Sequence, residues 1–282
     1  MRKKKSSNIL ITGFPNGGKS SLINILLKRK ISIVSSKIQT TNENIQAVLN
    51  YKDCQMIFVD TPGIIDKKKF YSKKLSREIF KNIEQIDFNL FVYDVTKKLT
   101  ASKIKKINET LSMFKKNYLV LNKIDLVKNE YLLQQIKQLN KRMCFSETFP
   151  ISVKKKIGIN NLLEMISKTS PYRNWVFENN NKDIINKDLN FILSEITREK
   201  IFNLLNKELP YVIKIQSFLK KEKNIVVVEQ KIIVEKESQK AIIIGKGGSK
   251  IKDIGRRSRT DMEKVLKKKV FLDLRVLKKS ML

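Results

Sequence analysis

Between the apolar run NILITG and the run SSLINILLKRK lies GFPNGGKS, residues 13–20, which fits G-x-x-x-x-G-K-[ST]. The first run reads as a strand that breaks at Gly13; in the second, Leu22, Ile25 and Leu26 recur at helical spacing. A strand, a glycine loop and a helix in that order commit the chain to an α/β unit with a parallel sheet. Glycines let successive backbone N–H groups turn toward phosphate oxygens, and the helix N-terminus adds partial positive charge. Gly13, Phe14, Pro15, Asn16, Gly17 and Gly18, with Ser21 behind them, are therefore a candidate phosphate cradle. Lys19 has the reach for β- and γ-phosphates, and the Ser20 hydroxyl is a hard ligand for Mg²⁺.

A ligand-free glycine turn has the same local pattern, and the text downstream decides against it. MIFVDTPG is a strand run ending at Asp60, placed to hold Mg²⁺ through water, with the Gly63 N–H available to a γ-phosphate. NLFVYDV supplies another strand, and YLVLNKID a third, ending in Asn122, Lys123 and Asp125. An ionised carboxylate only accepts hydrogen bonds, and guanine offers two adjacent donors where adenine offers an acceptor. Asp125 after a P-loop and a DTPG thus reads as a guanine selector rather than a helix cap. At ISVKKK, the backbone of Ser152, Val153 and Lys154 is in reach of the guanine O6. The predicted architecture is a doubly wound, mostly parallel P-loop sheet with guanine nucleotide, GTP or GDP, at the strand C-termini.

The chain has only nine glycines, and three more, Gly245, Gly247 and Gly248, crowd into four residues of AIIIGKGGSKIKDIG. This second cluster has the wrong spacing for a P-loop, but Gly245-Lys246-Gly247-Gly248 fits the G-x-x-G loop with which KH domains clamp about four backbone nucleotides. The pattern alone is weak, since a helix–turn–helix corner matches it too. Its surroundings read as helix (188–206), two strands (YVIKIQSFL and NIVVVEQKIIVEK), two helices about the loop, and a closing strand VFLDLRV. That is the α-β-β-α-α-β order of a smaller α+β type II KH domain. Ile244, Gly245, Lys246, Gly247, Gly248, Lys250, Lys252 and Arg256 are the candidate RNA contacts, with Arg257 and Arg259 adding charge.

The formal net charge of +32 says less than its size suggests. Residues 188–282 hold 23 Lys+Arg against 12 Asp+Glu, and residues 1–187 hold 36 against 15, so the excess per residue is nearly equal. Only 240–269, with eleven basic and three acidic residues, stands out. Cys54 and Cys144 are too few for a disulfide framework or a zinc site. The opening apolar run is too short for a signal sequence, and no stretch reaches the ~20 apolar residues of a membrane span. A soluble cytoplasmic protein is expected.

On GFPNGGKSSL, SSKIQTTNENI, DTPGI, NKID and PISVKKKIGI, and on SEITREKIF, ELPY, EKESQKAIIIGKGGSKIK and VFLDLRV, the chain resembles the Era family of bacterial ribosome-assembly GTPases. The likeness spans nearly the whole length, as a GTPase domain (1–170), a linker (171–188) and a KH domain (189–282). It implies GTP hydrolysis with Mg²⁺ and binding of the 3′ end of 16S rRNA. It further implies a part in maturing the small (30S) subunit, a monomer, and for some members the cytoplasmic face of the inner membrane.

By motif, Asp60, Thr61, Pro62, Gly63 and Ile64 join the nucleotide contacts, and Thr40 or Thr41, with Thr41 preferred, reaches Mg²⁺ and the γ-phosphate. Two departures stand out: Gly17 replaces a bulkier aliphatic residue, implying a looser loop, and the linker's Asn run implies a flexible connection. Ile64 also stands where many GTPases carry the water-orienting Gln. Catalysis then falls to Lys19, Asn16, Thr41 and Gly63, with a partner's group or a K⁺ held by Asn16 as open routes, and slow intrinsic turnover is expected. The competing reading is a non-cycling rRNA scaffold.

Overall fold

In a computed structural model describing residues 4–27, 45–60, 83–177, 184–185, 188–205, 213–221 and 225–279, the apolar runs of the first half become one sheet. Its strands are β1 (Lys5–Gly13), β2 (Ile45–Tyr51), β3 (Cys54–Asp60), β4 (Phe88–Asp94), β5 (Asn117–Asn122), β6 (Glu147–Pro150) and β7 (Ile184–Ile185). They lie in the order β6-β5-β4-β1-β3-β2-β7. β1, β3, β4, β5 and β6 are parallel, while β2 runs antiparallel to β3, and β7 antiparallel to β2. Every residue of β4 and β5 is buried, because a parallel sheet is covered on both faces. On one face α2 (Ala101–Leu111) and α3 (Asn129–Arg142) pack Ile107, Leu111 and Leu139 on Phe91, Tyr93, Leu119 and Leu121. β1 pairs with β3 on one side and β4 on the other, so strand order reverses there and a crevice opens at its C-terminal end. Gly13 is the last residue of β1, and α1 (Lys19–Leu26) leaves from the same point.

The start of the expected linker is strapped to this sheet rather than free. Tyr172 bridges to Lys5, Arg173 N–H donates to the Lys4 carbonyl, and its guanidinium meets both oxygens of Asp87 at 3.2 Å. The Gln55 side chain, fully buried, accepts from the N–H groups of Val176 and Phe177 and donates to the Phe177 carbonyl. With a further bond from Gln55 Nε2 to Asn50 Oδ1, this buried amide is satisfied four ways and is costly to release. The Asn run at 179–181 lies outside the described residues.

The chain divides into two compact units, with the C-terminal one taking in Lys187–Leu282. It is built from α5 (Leu189–Leu204), β8 (Lys214–Lys221), β9 (Ile225–Val234), α6 (Glu237–Ile244), α7 (Ser249–Leu266) and β10 (Lys269–Lys278), the first unit having run through α4 (Ile159–Thr169), its strap and β7. β9 is central, antiparallel to β8 and parallel to β10. Ile201, Ile232, Val234, Ile243, Ile254 and Val276 form the core between helices and sheet. One polar pin crosses it: Gln230, 1% exposed, accepts from Thr197 Oγ1 and donates to the Leu193 carbonyl and to Ser217 Oγ. Full satisfaction makes that buried amide a register lock for α5 on the sheet.

Candidate nucleotide-binding site and nucleic-acid interface

The glycine loop at 13–18 is shaped by its neighbours. At Gly13 a Cβ would stand 2.1 Å from the Val92 carbonyl oxygen, so β4 reserves that position for glycine. At Gly18, with φ +100°, a Cβ would stand 2.1 Å from Asn122 Nδ2. Gly17 is not the loose point its missing side chain suggests. It is buried, its N–H donates to the Phe14 carbonyl, and its own carbonyl accepts from Asn122 Nδ2 at 2.9 Å. Phe14 packs its ring edge-on against Phe91 and Tyr93, so it serves the loop through its backbone. Lys19, 9% exposed, donates from Nζ to the carbonyls of Gly13 and Phe14, both at 3.0 Å, which holds its ammonium across the loop. Asn16 is exposed and left-handed at φ +62° beside Pro15, and Ser20 and Ser21 lie in the first turn of α1.

The end of β5 forms the other wall. Asn122, 3% exposed, joins the walls: its Nδ2 holds Gly17, and its Oδ1 accepts from the N–H groups of Lys123 and Val153. Lys123 takes the left-handed conformation at φ +69°. Its ammonium pairs with Asp94 Oδ2 at 2.6 Å, while Asp94 Oδ1 accepts from the N–H and hydroxyl of Thr96. Burial alone would raise the Asp94 carboxyl; the bonds from Lys123 and Thr96 and the Lys123 charge outweigh it and hold the group below its ordinary range. Asp94 is a site residue that sequence reasoning passed over, reading NLFVYDV only as another strand. The available signal was a carboxylate closing an apolar run with a threonine two places on.

Asp125 accepts from Ser152 Oγ at 2.5 Å, which fixes one carboxylate oxygen and leaves the other without a donor among the described residues. Ser152 thus contributes its hydroxyl, which sequence reasoning missed. The backbone assignment at 152–154 also narrows. The Ser152 N–H donates to the Ile157 carbonyl and the Val153 N–H to Asn122, so only the Lys154 amide lacks an acceptor among the described residues. Asp60 closes β3 opposite Ile11 of β1, which brings it to the same sheet end as the loop. Thr40, Thr41, Thr61, Pro62, Gly63 and Ile64 lie outside the described residues.

The second glycine cluster is built differently. Gly245, Gly247 and Gly248 all have positive φ, forming a tight turn between α6 and α7. A Cβ on Gly245 would crowd the Lys250 stem at 2.8 Å, but on Gly247 it would meet nothing within 4 Å. Ile243 is buried, Ile244 packs against the core from its edge, and Ile242 stays 43% exposed. Lys246, Lys250 and Lys252 are exposed and carry no ion pair among the described residues. Arg256 and Arg257 share Asp253, at 2.9 and 3.0 Å, so their charge is partly spent inside the helix surface.

The family described as 50S ribosome-binding GTPase matches residues 8–123, and the KH domain family matches residues 208–282. The GTPase Era of Ehrlichia ruminantium is 38% identical over 96% of this chain and 92% of its own length. That of Staphylococcus epidermidis is 36% identical over 97% and 92%. The chain belongs to the Era family of GTPases. Among solved structures, Era in complex with MgGDPNP and nucleotides 1506–1542 of 16S ribosomal RNA superposes with a TM-score of 0.85, at 32% identity over 98% of this chain and 94% of that one. A variant of Aquifex aeolicus Era bound to GDP·AlF4⁻ gives 0.83 at 32% identity, covering 98% and 95%. Family membership makes the chain a GTP-hydrolysing enzyme with an RNA-binding KH domain.

The residues present fit the Mg²⁺ such an enzyme uses. Mg²⁺ keeps several waters and takes one or two protein oxygens plus phosphate, which matches Ser20 at the start of α1 and Asp60 at the end of β3. No denser cluster of acidic, His or Cys side chains occurs among the described residues, and none is needed.

Proposed function

We propose that this chain is a GTP-driven switch that grips the 3′ end of 16S rRNA through its KH unit and assists assembly of the 30S subunit. One observation carries the reading: Asn122 bonds the phosphate loop at Gly17 and the guanine wall at Lys123 and Val153 with a single amide. Base and triphosphate would thus be sensed by one rigid frame. Asp125 selects guanine by accepting from its two donors, with Ser152 fixing the carboxylate. Lys19 and the helix N-terminus would hold the phosphates, and Ser20, Asp60 and Thr41 would hold Mg²⁺, which would supply positive charge against the phosphates.

The water-orienting glutamine is replaced by Ile64, so intrinsic hydrolysis is slow until a catalytic group or ion is supplied. Asn16, exposed and left-handed on the loop's rim, supports a K⁺ in that role. The protein acts as a monomer in the cytoplasm. No described helix is long and apolar enough to cross a membrane, so association with the inner membrane would be peripheral.

Turnover measured in K⁺ and in Na⁺ buffers, with and without an RNA of the 16S 3′ end, tests these points together. Stimulation by RNA or K⁺ from a slow baseline is expected. Absence of any turnover would favour a non-cycling scaffold, and fast turnover of the protein alone would contradict the missing-glutamine argument.

A further inference from the structure

Among the described residues, the three-stranded sheet of the second unit has helices on one face only, and its other face is not uniformly polar. Alternation along the strands sends Val226, Val228, Gln230 and Ile232 inward. The opposite set brings two phenylalanines to the surface: Phe218 of β8, 49% exposed, and Phe271 of β10, 61% exposed. Register places Phe218 opposite Glu229, which lies opposite Asp273, two residues beyond Phe271. With strands about 4.8 Å apart and about 3.3 Å per residue, the two rings start about 12 Å apart. They are too distant to stack on each other, so neither ring is covered by the other.

The charges around them favour an anion. Glu229 and Asp273 are the acids of this outward set, and each is taken by a neighbouring cation, Lys220 at 2.9 Å and Arg275 at 2.6 Å. What remains is Lys214, Lys231 and Lys269, with no ion pair among the described residues. Lys231 sits 6.0 Å over the Phe218 ring, beside any base stacked there. Separated aromatic rings on a sheet, flanked by lysines outside any described ion pair, are the chemistry that holds unstacked bases and their phosphates.

We propose that this outer sheet face is a second RNA platform, binding a single-stranded stretch distinct from the one clamped by Gly245–Gly248. It rests on the reading that the second unit binds RNA, and extends the footprint from the loop to the opposite face of the sheet. Phe271 and Phe218 each stack one base, and Lys231 and Lys269 take the adjoining phosphates.

The test uses the full chain and fluorescence anisotropy with two unstructured oligonucleotides, one of about six nucleotides that fills the loop and one of about twenty. Replacing both rings (Phe218→Ala with Phe271→Ala) should leave the short RNA bound as before and weaken the long one about tenfold or more. Tyrosine at both positions should restore it, while leucine should not. Lys246→Glu should weaken both RNAs, and if the wild-type chain binds neither, the underlying RNA reading fails rather than the platform. Two results would overturn the platform: wild-type affinity of the double alanine variant for the long RNA, or full rescue by leucine, which marks a surface for an apolar protein partner.

Discussion

Both glycine clusters look alike in sequence, yet the protein uses glycine for opposite reasons in them. In the first, the missing side chains are demanded from behind: Val92 and Asn122 occupy the space where a Cβ would go at Gly13 and Gly18. In the second, Gly247 faces open space and is required only by its φ of +59°. A loop packed from behind is preorganised for one small ligand of fixed shape. A loop open in front leaves room for a polymer backbone to come close. The structural environment of a glycine, more than its motif, therefore separates a nucleotide cradle from a nucleic-acid clamp.

The sharpest way to break that contrast is Gly18→Ala. Its Cβ would collide with Asn122 at a left-handed position, and the site has no slack, so overpacking of about 3 kcal/mol should weaken GTP binding about a hundredfold. Titration with a fluorescent GTP analogue measures it, and a change under threefold would mean the loop is more plastic than its packing implies. Next in size is Lys246→Glu, an exposed charge reversal at the turn. It should weaken RNA about tenfold and flatten the salt dependence by about one charge. Arg256→Ala, whose guanidinium is already shared with Asp253, should do much less. Equal losses in the two would show that ion pairing inside α7 does not mute the charge.

Asp94→Asn comes third. It frees Lys123 from a carboxylate 5% exposed, and GTP affinity should fall about fivefold, in line with about 1 kcal/mol for one half-exposed pair. The same pair sets a pH dependence. The folded Asp94 pKa lies below its ordinary 3.8, so the stabilisation is fully present above that value and is lost as pH falls through the lower folded value. Denaturant melts below about pH 4 should therefore show the wild type losing its advantage over Asp94→Asn, which has no carboxyl there to protonate. A gap between the two that stays constant down that range would mean the pair contributes nothing to stability. Smallest is Gly247→Ala: with no clash, only the left-handed backbone resists, about 1 kcal/mol in a denaturant melt. RNA affinity should fall more than stability does.

Much of this was legible in the sequence because parallel strands buried on both faces read as unbroken apolar runs, as in β4 and β5. β2 and β7 left no such signal, since one lies toward the sheet edge and the other is two residues long. The strap at 171–177 was illegible for another reason: it is held by the buried amide of Gln55, the Arg173–Asp87 pair and scattered backbone bonds, which have no period. In the site, the motifs gave Lys19, Asn122, Lys123 and Asp125, but not the residues that orient the last two. Asp94 and the Ser152 hydroxyl act through other side chains, across 29 and 27 positions of sequence, and spacing rules do not reach that far. Asp253 was legible, three and four residues before the two arginines it neutralises, and weighing it would have lowered the expectation for Arg256.

The account's central claim is that guanine nucleotide state governs the hold on RNA. The most direct measurement is the affinity of the full chain for a 16S 3′-end oligonucleotide, read in parallel with a non-hydrolysable GTP analogue, with GDP and with an ATP analogue. Tighter binding by about tenfold with the GTP analogue alone is the expected result, a coupling within the usual 1–3 kcal/mol between linked sites. Identical affinities in all three would contradict it.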